Sequence, residues 1–387
     1  MFDAANSVSP TAQPYLVSHP DSGASLDAAV ATAAMETLSA LYPKQARVFA
    51  VVFKVYLPLI NVLPAQKRGR AIGHDVASKL LTIRANDGSK IAGSYTPSGL
   101  PGTHDVDPLN PAQGFLTPAW GQVVPFALNE DFHYVSPLSP ALDSDEYAEA
   151  FNDVKQLGGD GVTTPTIRTV EQTEIGLFWA YDGARRLGVP PRLYNQIVRT
   201  IARQKHNTEL ENARLFALVN LAMADGGIYC WDVKYKDIVW RPIVAIRRAD
   251  EDGNLTNTAD PLWTPLGAPA SNRSGNNFTP PFPAYPSGHA TFGGAVFRIL
   301  QRFYETDEIT FTFVSDELNG FTTDSKGHVR PRRPRTFHRL SDAAEENARS
   351  RIYLGIHWQF DADEGLSSGY AIGDYVFDTV LQPLPAP

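Results

Sequence analysis

PAYPSGHATFGGAVF, residues Pro283 to Phe297, is the stretch on which the reading of this chain turns. Proline, serine, glycine and histidine occupy four consecutive places, Pro286 to His289. The small and apolar residues after them read as the start of a buried helix. Proline suits a helix start, where its missing N–H is no loss. Ser287 can hydrogen-bond an oxyanion, and Gly288 lets the backbone approach closely and offers its N–H. A helix N-terminus favours an anion through its dipole and its unpaired N–H groups. His289 is then held beside whatever binds, suited to give or take a proton near neutral pH. The plainer alternative is a structural cap with a satisfied histidine.

Two other stretches carry the same polarity. Lys234-YKDIVW-Arg241-Pro242 places two cations seven residues apart. On one helix that spacing is two turns, which predicts both side chains on one face. Two solvated surface cations would look the same. Ser350-Arg351-IYL-Gly355-I-His357-WQF-Asp361 is the third piece. Arg351 and His357 do not share a helical face, but Gly355 can end the helix and let the chain turn back. Asp361 is placed to orient the His357 ring. An ordinary helix end with a surface histidine is the alternative.

The bulk numbers restrict the partners. The chain has 387 residues, 43% apolar and 20% charged, which is globular rather than disordered. Its formal charge of −8 argues against nucleic acid or an anionic membrane as the main partner. Any anion site must therefore be a local cluster of cations. Cys230 is the single cysteine, which excludes an intrachain disulfide and CxxC metal sites. The apolar run Val48 to Leu63 is broken by Lys54, Pro58 and Asn61, so it predicts no membrane span. MFDAANSVSP has no signal-peptide form. A soluble protein is expected, cytoplasmic by default, with export by another route left open.

Helical patterns dominate. Helices are expected over Ser25 to Leu41, Pro64 to Ala85 and Asp143 to Leu157. Capping boxes at Thr169–Gln172 and Thr208–Glu211 open two more, one running on through QTEIGLFWAYDGARRL and one to Ala224. Others are expected from Pro190, over His289 to Tyr304, Leu340 to Leu354 and Ser368 to Leu381. The Pro/Gly-rich stretch Tyr95 to Pro140 reads as a long ordered loop. Lys326 to Arg339, KGHVRPRRPRTFHR, reads as a basic loop, either solvated at the rim of the site or drawing anions inward. Strict alternation is scarce. An all-α bundle forming a single domain over residues 1–387 is expected, with the site-bearing part at about 165–365.

Lys-x6-Arg-Pro, Pro-Ser-Gly-His and Ser-Arg-x5-His-x3-Asp, in that order, resemble the three-part signature of the vanadium-dependent haloperoxidases and type-2 phosphatidic acid phosphatases. EQTEIGLFWAYDG, PPRLYNQIVRTIA and PPFPAYPSGHATFGGAVF resemble the haloperoxidase branch, nearest to fungal chloroperoxidase and bacterial relatives. The resemblance runs from about Ser25 to near residue 365 and is weakest in the 95–140 loop. It implies the helical-bundle fold of that superfamily, with vanadate and no haem as cofactor. It implies that His357 coordinates vanadium, while Lys234, Arg241, Ser287, Gly288 and Arg351 hydrogen-bond the vanadate oxygens. His289 resembles the acid–base residue, and Asp182 the carboxylate that pairs with Arg351. Phe282 and Trp231 resemble the fungal halide pocket; algal bromoperoxidases tend to carry His at the Phe282 place.

The reaction implied is oxidation of bromide, and plausibly chloride, by hydrogen peroxide without metal redox. Hypohalous acid would then halogenate a small organic acceptor. The rival within the superfamily is a soluble acid phosphatase with His357 as nucleophile. A homo-oligomer is compatible with the sequence. Set against such relatives, the helical sequence expected ahead of MFDAANS is either missing or cut off by a misassigned start codon, and a long tail after the third motif is not expected; this bears on domain completeness and oligomer contacts rather than on the site.

Overall fold

The computed structural model describes residues 1–60 and 63–385, so the interruption read at Asn61 lies outside the described residues. Helices dominate, as the sequence predicts, and the chain groups into two compact units, each described by itself.

The first unit comprises Met1–Lys90, Ala202–Leu221 and Val376–Pro387. It contains α1 (Phe2–Val8), α2 (Leu26–Leu41), α3 (Ala46–Tyr56) and α4 (Leu63–Ile83). Ser25 caps α2, its hydroxyl accepting the Ala28 N–H at 3.3 Å. α2 meets α4 along a seam of small residues. A Cβ on Gly69 would lie 2.3 Å from the Ser25 carbonyl oxygen, and one on Gly73 would lie 2.3 Å from that of Ala29. Glycine at these two places lets the backbones touch. α1 is too short to show a period. Its Asp3 carboxylate accepts the N–H groups of Tyr15, Leu16 and Val17 and fixes the segment after it. α3 is rich in valine, yet none of its side chains is buried.

The second unit comprises Ile91–Ile201 and Ala222–Tyr375. Along it run α5 (Asp145–Leu157), α6 (Val170–Phe178), most of α7 (Pro190–Gln204), the later part of α8 (Glu209–Asp237), α9 (Pro242–Arg247), α10 (Gly288–Tyr304), α11 (Leu340–Tyr353) and most of α12 (Gln359–Thr379). The 95–140 stretch is an ordered loop whose regular structure is one turn, Trp120–Gln122. Buried carboxylates anchor it. Asp225 accepts the N–H groups of Phe126, Ala127 and Leu128 at 2.6–2.8 Å. Glu364 accepts the hydroxyls of Tyr134 and Ser136.

Four readings are corrected here. α6 stops at Phe178 instead of continuing through AYDGARRL. α8 extends past Ala224 to Asp237, and its Gly227 is used for close approach: a Cβ there would lie 3.1 Å from the Phe292 ring of α10. α12 begins at Gln359, before the expected Ser368. Its Gly365 and Gly369 look like breakers, but Cβ atoms on them would lie 2.7 Å from the Ser287 oxygen and 2.5 Å from the Thr291 oxygen of the facing segment. Finally, the basic run is not all loop. β2 (Pro334–Phe337) pairs antiparallel with β1 (Phe311–Val314), Phe311 opposite Phe337. Three of the arginines of the run are tied to carboxylates, Arg330 to Glu317, Arg333 to Glu174, and Arg335 to Glu171 and Glu346.

An aromatic cluster sits beneath the site. Trp358 stacks on Phe151 and Phe360, and its indole N–H donates to the Trp240 carbonyl at 3.0 Å. Trp240 in turn donates to the Tyr147 hydroxyl at 3.0 Å. Large rings with satisfied polar ends give this region a rigid floor.

Candidate functional site

The opening stretch folds as its residues dictate. Ser287 is the N-cap of α10, extended at φ −73°, ψ 119°, and its hydroxyl accepts the Ala290 N–H at 3.5 Å. Gly288 and His289 form the first turn. The Ser287 N–H donates to the Asp361 carbonyl at 2.8 Å, which ties this turn to the start of α12. The glycines after His289 serve packing: a Cβ on Gly294 would lie 2.9 Å from the Leu366 carbonyl oxygen.

Lys234 and Arg241 do not share a helix. α8 ends at Asp237, Ile238 turns left-handed at φ 49°, and Arg241 is the N-cap of α9. The two cations still converge, on the chain ahead of Ser287. Lys234 Nζ donates to the carbonyls of Pro283, Ala284 and Pro286 at 2.8, 2.8 and 2.5 Å. Those three acceptors take all three ammonium protons. Burial, with Arg241 nearby, pushes Lys234 down to about 7. Arg241 donates through Nε to the Phe282 carbonyl at 2.8 Å and through Nη1 to the Ile356 carbonyl at 2.7 Å. The Phe282 ring lies 4.8 Å from the Arg241 guanidinium and 5.2 Å from Lys234 Nζ, and Trp231 packs on it at 4.7 Å. The two expected pocket rings therefore meet beside two buried cations.

The third motif turns as its glycine requires. Gly355 has φ 72°, and a Cβ there would lie 2.6 Å from the Gly158 carbonyl oxygen. The turn brings His357 to Arg241, whose Nη1 lies 2.9 Å from His357 Nε2. On the other side of the ring, Nδ1 lies 2.8 Å from Asp361 Oδ2. A guanidinium can only donate, so Nε2 carries the lone pair and Nδ1 the proton. Burial and the field of Arg241, Lys234 and Arg351 hold His357 well below its ordinary range. The ring is neutral, and its Nε2 lone pair accepts from Arg241 Nη1.

Arg351 is fully buried and donates through Nη2 to Asp182 Oδ1 at 2.7 Å. Asp182 also lies 4.0 Å from His289 Nε2. That nitrogen is 2.6 Å from the Ala180 carbonyl, which can only accept, so His289 is protonated on Nε2. Burial, then Arg351, pushes His289 down to about 4. Its own carbonyl is fixed by Tyr194 at 2.8 Å and by Asn347 at 2.9 Å.

What remains unpaired defines the chemistry. Arg241 Nη2 and Arg351 Nε and Nη1 are buried N–H donors with no acceptor. Such groups are costly unless something accepts from them. They fit a tetrahedral oxyanion. Among the described residues no group of three or more His, Cys, Asp or Glu could hold a metal ion. No described helix is long and apolar enough to cross a membrane.

Comparison with known proteins sets this geometry in a family. The chain is 34% identical to the vanadium chloroperoxidase of Curvularia inaequalis over 421 aligned positions, spanning 90% of this chain and 68% of that protein. The chain belongs to the vanadium-dependent haloperoxidase family. It is an enzyme of the peroxidase class. Residues 214–385 match the family model for the VCPO second helical-bundle domain. Two solved structures share the fold. A bacterial vanadium-dependent iodoperoxidase gives a TM-score of 0.76 at 22% identity, covering 98% of this chain and 88% of the other. A holo-type bacterial vanadium-dependent chloroperoxidase gives 0.72 at 17% identity, with the same coverage.

The structure also places a residue for which the sequence holds no signal. His104 is 2% exposed, with both ring nitrogens lacking a partner. It packs edge-on against Phe115 at 5.4 Å and shares a pocket lining with Arg241 and Thr279. Burial, then Arg241 and Lys234, pushes it down to about 3. Below pH 6.5 the unfolded chain takes a proton that the folded one refuses, so stability is lost as pH falls from 6.5 toward 3. His104→Phe keeps the ring contact and removes two unsatisfied atoms. It should stabilise the fold by about 1–2 kcal/mol at pH 7, and by about 2 kcal/mol more at pH 5. Thermal unfolding at the two pH values measures this; identical acid sensitivity in both proteins would sink it.

Proposed function

We propose that this family member is a vanadate-dependent haloperoxidase that oxidises bromide, and by the Phe282 argument also chloride, with hydrogen peroxide, and so supplies hypohalous acid to small organic acceptors. One observation carries the reading: three buried guanidinium nitrogens without acceptors, on Arg241 and Arg351, stand with a neutral histidine whose Nε2 lone pair meets Arg241. Vanadate, when bound, supplies a Lewis-acidic centre that activates peroxide without changing its own oxidation state.

The roles proposed for the chain's own residues follow from their bonds. His357 offers Nε2 as the metal ligand, and Asp361 holds the ring in that tautomer. Arg241 Nη2, Arg351 Nε and Nη1, the Ser287 hydroxyl and the Gly288 N–H donate to the oxygens. Lys234 contributes its charge while bracing the 283–286 turn. His289, neutral at pH 7 with Nδ1 free of a proton, accepts the proton of incoming peroxide and later returns it. Asp182 keeps Arg351 in place.

Phe282 and Trp231 form the proposed halide wall. An aromatic wall that displaces hydration water matters most for chloride, which holds that water more tightly than bromide does. Phe282→His is therefore expected to lower chloride turnover about tenfold relative to bromide. The chloride-to-bromide rate ratio in the two proteins measures this, and an unchanged ratio would remove Phe282 from the halide pocket.

The acid phosphatase alternative is not favoured by the relatives, and the same experiment separates the two. Peroxide-dependent bromination of a diketone dye should appear on adding orthovanadate. Nitrophenyl phosphate hydrolysis blocked by vanadate, with no bromination, would replace this reading by the phosphatase.

A further inference from the structure

The turn that follows α6 brings both Ala180 and Asp182 to the site, and it does so in an unfavourable conformation. Tyr181 has φ 45°, a left-handed value that bulky L-residues avoid. Something must hold it there. Its side chain is fully buried. The hydroxyl donates to Gln196 Oε1 at 3.0 Å and accepts the Asp316 N–H at 2.7 Å. Gln196 Nε2 donates in turn to Asp316 Oδ2 at 3.1 Å. Just before the turn, the Ser315 hydroxyl donates to the Phe178 carbonyl at 2.6 Å. Residues 178 and 181 are thus both pinned to the segment at 315–316.

The pinned turn serves two neighbours. The carbonyl before Tyr181 accepts from His289 Nε2 at 2.6 Å, and the carboxylate after it accepts from Arg351 at 2.7 Å. A neutral imidazole has two tautomers, and which one is present is set by the partner of one nitrogen. A carbonyl oxygen cannot donate, so the Ala180 contact selects Nε2–H and leaves Nδ1 as the acceptor.

We propose that Tyr181 is a positioning residue: clamped between Gln196 and the Asp316 N–H, it holds the left-handed turn that selects the Nε2–H tautomer of His289 and keeps Asp182 on Arg351. The use made of that tautomer rests on the haloperoxidase reading; the clamp itself does not. Relaxation of the turn toward negative φ withdraws the Ala180 carbonyl, and the Nδ1–H tautomer becomes populated.

The test uses the full chain without vanadate, labelled with 15N-histidine, at pH 7. The His289 signals are assigned by their loss in His289→Gln. Wild type should show the Nε2–H pattern alone. Tyr181→Phe keeps the ring and loses both hydroxyl contacts; its His289 shifts should move toward Nδ1–H. Orthovanadate binding, by calorimetry, should weaken about tenfold. Ser315→Ala reaches the same turn through Phe178 and should move both readouts in the same direction, so the test stands even where Tyr181→Phe does not fold. A less stable Tyr181→Phe that keeps the Nε2–H pattern and the wild-type vanadate affinity would reduce Tyr181 to a core residue and overturn the proposal. Wild type that binds no vanadate would defeat the haloperoxidase reading, while the tautomer comparison would still judge the clamp.

Discussion

His357→Ala should fold, fail to bind orthovanadate and lose halogenation by more than about 1,000-fold. The expectation rests on its place in the site. Among the proposed oxygen-binding groups, the two arginines and the Ser287–Gly288 turn offer hydrogens and Lys234 offers charge, whereas His357 Nε2 offers a lone pair held in place from both sides of the ring, by Arg241 and by Asp361. Alanine removes the ligand without removing the charges. The Asp361 Oδ2 atom keeps the Trp358 N–H at 3.0 Å, which limits the stability cost to about 1–3 kcal/mol. Circular dichroism and urea unfolding establish the fold, and calorimetry with orthovanadate reads the ligand. A folded His357→Ala that still binds vanadate as wild type does would move the metal ligand elsewhere.

Arg351→Ala should be damaging in two separable ways. Arg351 and Asp182 are buried together, and removing one partner strands the other, at a cost of about 3–5 kcal/mol. The loss of Nε and Nη1 also removes two of the three unpaired guanidinium donors, which should weaken vanadate by more than about 100-fold. A third effect has a definite sign. After burial, Arg351 is the largest influence lowering His289, and Asp182 raises it. Without Arg351 both changes push His289 upward, so the base form is lost at higher pH and residual activity shifts alkaline. Arg351→Ala with Asp182→Ala should recover much of the stability and none of the affinity. Urea unfolding and vanadate titration on the single and double variants measure both; parallel recovery of stability and affinity would show that Arg351 acts through folding alone.

The site was more legible than the route by which the chain builds it. Pro286 to His289 reads as a capped helix start because each residue type has a local reason to be there, and α10 begins at Gly288. Gly355 likewise announces a turn, and the turn joins His357 to Arg241. Lys234 and Arg241 converge for a reason that spacing does not carry. The helix between them breaks at Ile238, and a β-branched residue at φ 49° leaves no mark in a sequence. Tyr181 hides the end of α6 in the same way. The glycines of α8 and α12 look like breakers, whereas here they are contact points inside long helices. His104 stands alone in the sequence, with no partner at any ligand spacing, and only the folded chain places it in a pocket lining with Arg241.

The three buried cations have a consequence for the molecule as a whole. Lys234, Arg241 and Arg351 are each at most 1% exposed, and the unpaired N–H groups of the two arginines have no acceptor among the described residues. An oxyanion that settles there completes the interior as a missing side chain would. It binds the folded chain and not the unfolded one, so it adds about 2.7 kcal/mol of stability when present at a hundred times its dissociation constant. Phosphate and sulfate are tetrahedral oxyanions, as vanadate is. On the proposed reading, the melting temperature of this protein should rise with the concentration of a tetrahedral oxyanion in the buffer.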